Sequence, residues 1–72
     1  MAGLPACSGK DAVRAFERLG YRIVRQKGSH VIMKHEGRSS LTVPLRSTLK
    51  RGTLRGLISQ SGYTVEEFTA VL

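Results

Sequence analysis

Residues 21–44, YRIVRQKGSHVIMKHEGRSSLTVP, decide the fold of this 72-residue chain. Three short runs rich in apolar and β-branched residues occur at 21–26, 30–36 and 39–44, and glycine-containing turns separate them. Because such short turns join strands as hairpins, the stretch predicts a three-stranded antiparallel meander. Pro44 should end the third strand, since proline has no N–H to donate to a ladder.

Helical patterns flank this meander on both sides. Ahead of it, Ser8 can cap a helix whose apolar residues recur at helical spacing. Behind it, a second helix should open at Gly52, and Thr64 with Glu67 forms a capping box for a third. The prediction is an α+β fold of order α-β-β-β-α-α, one domain over residues 8–72. The helices can cover one face of the sheet, which leaves the other open to solvent or a ligand.

Residues 1–7 are expected to form a flexible N-terminal leader, because Gly3 and Pro5 interrupt any regular element. The segment lacks the basic start and the apolar stretch of a signal peptide. No run approaches the ~20 apolar residues that span a bilayer. A single cysteine, Cys7, fits a reducing compartment and is interpreted as incidental. We therefore expect a cytoplasmic protein without a membrane partner.

The charge balance points to an anionic partner. Twelve Lys and Arg stand against five Asp and Glu, for a net charge of +7. Most of the cations are Arg, the usual choice for bidentate phosphate contacts. Nucleic acid is the first partner to consider. An acidic protein, an anionic membrane surface, or simple solubility through like charge remain as alternatives.

The alternation of side chains along the second strand predicts which way His30 faces. Val31 and Met33 make the better core pair, so His30 and Lys34 should lie on the open face. Ile32 would then be partly exposed, which is the weak point of this assignment. A one-residue error in the face would bury His30 instead.

His30 is the candidate catalytic residue. It follows the turn Gly28-Ser29, and a glycine lets the backbone approach a phosphate closely. A neutral imidazole near a ribose 2′-OH can remove its proton, so that the oxygen attacks the adjacent phosphorus. The cations expected nearby are Arg25, Lys27 and Lys34. From spacing alone, a surface histidine that only hydrogen-bonds the turn is favoured, because one histidine near a glycine is a weak signal.

Metal chemistry has little support in the sequence. His30 and His35 are five apart in one strand and should point to opposite faces. No cysteine or acidic cluster completes a metal site. The chain also lacks a phosphate loop and a dinucleotide-binding fingerprint. We expect neither a metal nor a cofactor.

Several motifs occur in a characteristic order. They are Leu19-Gly20-Tyr21, then VRQKGSH at 24–30, Lys34-His35, LTVP at 41–44, and GTLRGLISQSG at 52–62. In this order the chain resembles the HicA toxins, also described as YcfA-like proteins. The resemblance covers residues 8–72, and the last motif is the most specific.

The resemblance implies a fold like a double-stranded RNA-binding domain. It also implies a toxin that cleaves mRNA without a metal and is held in check by a HicB-type antitoxin. The family's catalytic histidine falls on His30, and Gly28 and Ser29 match the turn that presents it. Relatives often carry a histidine shortly after the Val-Pro pair, where this sequence has Leu45 and Arg46. Arg46 keeps a cation there but cannot exchange protons near neutral pH.

Three functions remain open at this point. The leading hypothesis is an endoribonuclease toxin of a type II toxin–antitoxin pair, with His30 as general base or general acid. Its phosphate-binding residues would be Arg25, Lys27, Gly28, Ser29, Lys34 and Arg46. The second hypothesis is a non-catalytic RNA-binding module that reads duplex RNA by shape and 2′-OH contacts. The third is a protein-interaction domain, which would show no salt-sensitive affinity for RNA.

Overall fold

The computed structural model describes residues 3–72 and confirms the predicted α+β order. The elements are α1 (Gly9–Arg18), β1 (Arg22–Lys27), β2 (His30–His35), β3 (Arg38–Pro44), α2 (Arg51–Ser61) and α3 (Val65–Ala70). The sheet has the order β1-β2-β3 with antiparallel neighbours, as the short turns predicted. Two strand ends, His30 and Pro44, are as predicted, and the other four differ by one residue. Within residues 3–72, no helix has the length and apolar character needed to cross a membrane.

Both predicted helix caps are present. The Ser8 hydroxyl accepts a hydrogen bond from the Asp11 N–H at 3.0 Å, and the Asp11 carboxylate accepts one from the Ser8 N–H. Thr64 and Glu67 form the same reciprocal pair at the start of α3. Such boxes satisfy N–H groups that the first helical turn leaves without partners. They fix where α1 and α3 begin and therefore how these helices meet the sheet.

The core lies between the helices and one face of the sheet. Its largest fully buried side chains are those of Phe16, Phe68, Met33, Leu41 and Leu54. Val31 joins Met33 on this face, as the alternation of β2 predicted, while Ile32 is half-buried on the other. The phenyl rings of Phe16 and Phe68 are 5.1 Å apart between centroids, so the first and last helices meet over the sheet.

The described part of the expected leader, residues 3–7, contains no helix or strand. Two of its side chains, Leu4 and Cys7, are nevertheless buried in the core cluster. The Cys7 carbonyl also accepts a hydrogen bond from the Leu49 N–H at 2.9 Å. Residues 1 and 2 lie outside the described residues. The flexibility of the leader stays a prediction, but these contacts attach its second half to the domain.

Strand β1 contains a bulge at Val24. Ile23 pairs with Met33, and Arg25 pairs with Ile32, the residue directly before Met33. Val24 therefore has no partner of its own. An inserted residue reverses the alternation of side chains beyond it. As a result Arg22 lies on the same face of the sheet as Arg25, although regular alternation would separate them.

Candidate functional site

The face of the sheet that the helices leave uncovered carries the candidate site. Directly paired residues of neighbouring strands project to the same face, and the pairing places eight residues there. This open face consists of Arg22, Arg25, Lys27, His30, Ile32, Lys34, Thr42 and Pro44. All are exposed except Ile32 and Pro44, which are half-buried. The three strands contain no Asp or Glu, so the open face carries cations and neutral residues.

His30 lies at one end of the open face and is exposed, as the alternation of β2 predicted. It is the first residue of β2 and pairs with Lys27 on one side and Pro44 on the other. The turn before it is tight, because Gly28 adopts a positive φ of 58° that favours glycine. The Leu45 N–H donates to the Ser29 carbonyl at 2.7 Å and ties this turn to the end of β3. The backbone around His30 is therefore held from two strands.

Three of the predicted phosphate-binding cations share the face of His30. Lys27 is its direct partner across the β1–β2 ladder, and Arg25 lies opposite Ile32. Lys34 lies four residues after His30 on β2, which corresponds to about 13 Å along a strand. The structure thus brings these cations together with His30, while their contact with RNA stays a prediction.

Arg46 does not lie on the open face. It follows β3 in the loop that passes the start of α1, where its carbonyl accepts the Gly9 N–H at 2.8 Å. Arg46 lines a shallow cavity of about 200 Å³ together with Ser8, Lys10, Leu45 and Ser47. Through its neighbour Leu45, Arg46 is thus close in space to the turn of His30, but on its helix side.

Gly9 explains why this loop lies so close to α1. A Cβ at this position would overlap the Pro44 carbonyl oxygen and come within 2.8 Å of the Leu45 Cα. Only glycine allows this approach of the α1 backbone to the end of β3. Gly9 therefore holds the Pro44–Leu45 segment, which in turn contacts the turn before His30.

His35 is on the opposite face, as its spacing from His30 predicted, and has a different environment. Its Nδ1 lies 2.8 Å from the Glu36 carbonyl oxygen, and its Nε2 lies 3.2 Å from the Leu19 carbonyl oxygen. The Tyr63 hydroxyl is also 3.2 Å from Nε2, and the Tyr21 ring meets the imidazole edge-on at 5.0 Å. These contacts give His35 a structural role between β2, the end of α1 and the end of α2.

One cation of the open face, Arg22, was not predicted from the sequence. Regular alternation from Arg25 would place Arg22 with the core, and only the bulge at Val24 returns it to the open face. A bulge in a strand of mixed apolar and basic residues leaves no clear mark in the sequence. The pairing partner of Arg22 is Lys34.

A family comparison gives a match over most of the chain. Residues 9–63 match the family model described as the HicA toxin of bacterial toxin–antitoxin systems. The chain belongs to the HicA toxin family. A comparison with curated proteins gave no match. The segment shared with the HicA family runs from the start of α1 to Tyr63 and contains the whole open face, including His30.

Membership of the HicA family gives the chain a toxin role in a toxin–antitoxin pair. The match ends before α3, whose buried Phe68 contacts Phe16. In this HicA domain α3 therefore completes the core behind the sheet, away from His30.

Proposed function

We propose that this HicA-family chain is an mRNA endoribonuclease that acts in the cytoplasm, needs no metal, and uses His30 as its catalytic residue. The observation that carries the proposal is the place of His30, exposed at one end of a face formed by strands without a carboxylate. A polyanion can approach such a face without meeting like charge. Family membership adds that the chain is a toxin.

The proposed reaction is an attack by the ribose on its own phosphate. The neutral imidazole of His30 removes the proton of a 2′-OH, and the 2′ oxygen forms a bond to the adjacent phosphorus. The bond from phosphorus to the 5′ oxygen breaks, and that oxygen takes a proton from water. In the converse role, protonated His30 gives a proton to the 5′ oxygen, while water removes the proton of the 2′-OH. Either way the products end in a 2′,3′-cyclic phosphate and a 5′-hydroxyl.

The neighbouring cations position the strand in this proposal. Lys27 and Arg25 lie on β1 beside His30 and would hold the phosphates nearest the reacting one. The N–H groups of the turn at Gly28 and Ser29 can bind a phosphate oxygen, because no side chain at Gly28 blocks their approach. Arg46 would contact RNA that continues past His30 toward α1.

We further propose that a HicB-type antitoxin inhibits the toxin by covering the open face. A protein that covers His30 and its cations blocks both the proton transfer and the binding of phosphate. An antitoxin surface with carboxylates opposite Arg25 and Lys27 would match the charge of this face.

The experiment is to incubate the purified chain with RNA in EDTA and to identify the ends of the products. Cleavage to 2′,3′-cyclic phosphate ends is expected. A substrate with a single 2′-deoxyribose at the cleaved position should stay intact there, because the attacking oxygen is missing. Cleavage that stops in EDTA, or that continues at the deoxyribose, would contradict the proposed reaction.

The second candidate is a non-catalytic RNA-binding module. One observation favours it: His30 is the single histidine of the open face, and the three strands offer no Asp or Glu as a second acid or base. A basic face binds RNA without any such residue. Salt-sensitive binding to intact RNA, with no product after long incubation, would favour the module over the enzyme.

A further inference from the structure

Two cations face each other directly on the open face. Arg22 of β1 and Lys34 of β2 are partners in the antiparallel ladder, and both are exposed. Like charges in this position repel and destabilise the pair of strands. A bound anion between the two side chains would remove that repulsion.

The bulge at Val24 creates this pair. Without an inserted residue Arg22 would project toward the helices, and Lys34 would have an apolar neighbour across the ladder. Bulges often re-aim a side chain at a functional site. Here the bulge extends the row of β1 cations, which runs from Lys27 through Arg25 to Arg22.

A shallow cavity adjoins the two cations. It has a volume of about 270 Å³, and Arg22 and Lys34 line it together with Glu36 and with His35, which belongs to the other face, so the cavity lies at the end of β2. Glu36 is a carboxylate on the rim and belongs to the turn after β2, so the two cations outnumber it. The guanidinium of Arg22 can bind two phosphate oxygens at once, and Lys34 adds a point charge.

This pair is far from the proposed catalytic residue. Lys34 is four residues along β2 from His30, which corresponds to about 13 Å. A phosphate held there belongs to a nucleotide beyond those that flank the cleaved bond. The distance separates binding at Arg22 from proton transfer at His30.

We propose that Arg22 and Lys34 form a distal subsite for a backbone phosphate of the RNA substrate. The inference rests on the proposed function, because it assumes that RNA runs along the open face from His30. The subsite makes the toxin favour long strands over short ones, without reading their sequence.

The test compares a dinucleotide with a longer oligonucleotide that contains the same cleavable step. For the wild type, kcat/KM should be higher on the longer RNA. Arg22→Gln should reduce this advantage on the order of tenfold, the usual loss for one charged contact. The control Arg55→Gln removes an exposed cation from α2 and should keep the wild-type ratio. Equal ratios for wild type and Arg22→Gln would overturn the subsite.

Salt-dependent binding to the longer oligonucleotide gives a second measurement that does not need cleavage. Arg22→Gln should reduce the slope of log affinity against log salt by about 0.7, the value for one phosphate contact on a single strand. A wild type that binds RNA without cutting it would defeat the proposed function while this slope still tests the subsite. An unchanged slope would overturn the subsite. If inorganic phosphate competes with the labelled oligonucleotide as strongly as unlabelled RNA does, the two cations form a site for free phosphate, which also overturns the proposal.

Discussion

His30 and His35 occupy the two ends of β2 and face opposite sides of the sheet. His30 is exposed beside Lys27 on the open face, whereas the His35 ring lies among carbonyl oxygens and tyrosine rings. The two histidines of the chain therefore have different environments. One can meet a substrate, and the other joins β2 to the ends of two helices.

Replacement of His35 should cost stability. His35→Ala removes contacts to the carbonyl oxygens of Glu36 and Leu19 and leaves a hole beside Tyr63. We expect the free energy of unfolding to fall by about 2 kcal/mol, typical for lost hydrogen bonds and contacts at a half-buried site. Urea unfolding measures this change. His30→Ala is the matched control and should unfold like the wild type; equal curves for both variants would contradict the structural role of His35.

Gly9 offers a test of how the turn of His30 is supported. In Gly9→Ala the new methyl group overlaps the Pro44 carbonyl oxygen, so α1 and the end of β3 must move apart. We expect a loss of about 1–3 kcal/mol in unfolding free energy, as for other overpacked sites. RNA cleavage should also weaken, since Leu45 holds the Ser29 carbonyl.

The control for this variant is Gly56→Ala. Gly56 lies within α2, where a Cβ meets no atom within 4 Å. Alanine there should raise the unfolding free energy by about 0.5–1 kcal/mol, because glycine weakens a helix interior. Thermal unfolding of both variants gives the comparison. If Gly9→Ala proves as stable as Gly56→Ala, the close approach of Gly9 to Pro44 does not affect the unfolding free energy, and the prediction is wrong.

Cys7 should react slowly with thiol reagents in the folded protein. Burial, and secondarily the Asp11 carboxylate, raise the pKa of its thiol. Less of the reactive thiolate is then present near neutral pH, and its share rises only as the pH approaches the raised pKa. The measurement is the rate of labelling at neutral pH, with and without denaturant. Equal rates in both conditions would show that the segment around Cys7 is loose, as the predicted leader implies.

Much of the fold could be predicted because local signals agreed with one another. The short turns set the antiparallel order, and the cap at Ser8 and the capping box at Thr64 marked two helix starts. The alternation around Val31 and Met33 placed His30 on the open face, since β2 is regular over those residues.

The remaining features depend on contacts between distant parts of the chain. The burial of Leu4 and Cys7 arises from tertiary contacts, which no pattern within residues 3–7 indicates. The place of Arg46 follows from the approach of Gly9 to the loop after β3. Arg22 was missed because a bulge reverses the alternation on which the prediction was based.

A single rate comparison tests whether His30 carries out RNA cleavage. Wild type and His30→Ala are incubated with the same RNA in EDTA, after circular dichroism has shown that both are folded. We expect His30→Ala to decrease the cleavage rate by about 10²–10⁴-fold, the usual contribution of a general acid or base. Equal cleavage rates for the two folded proteins would contradict it.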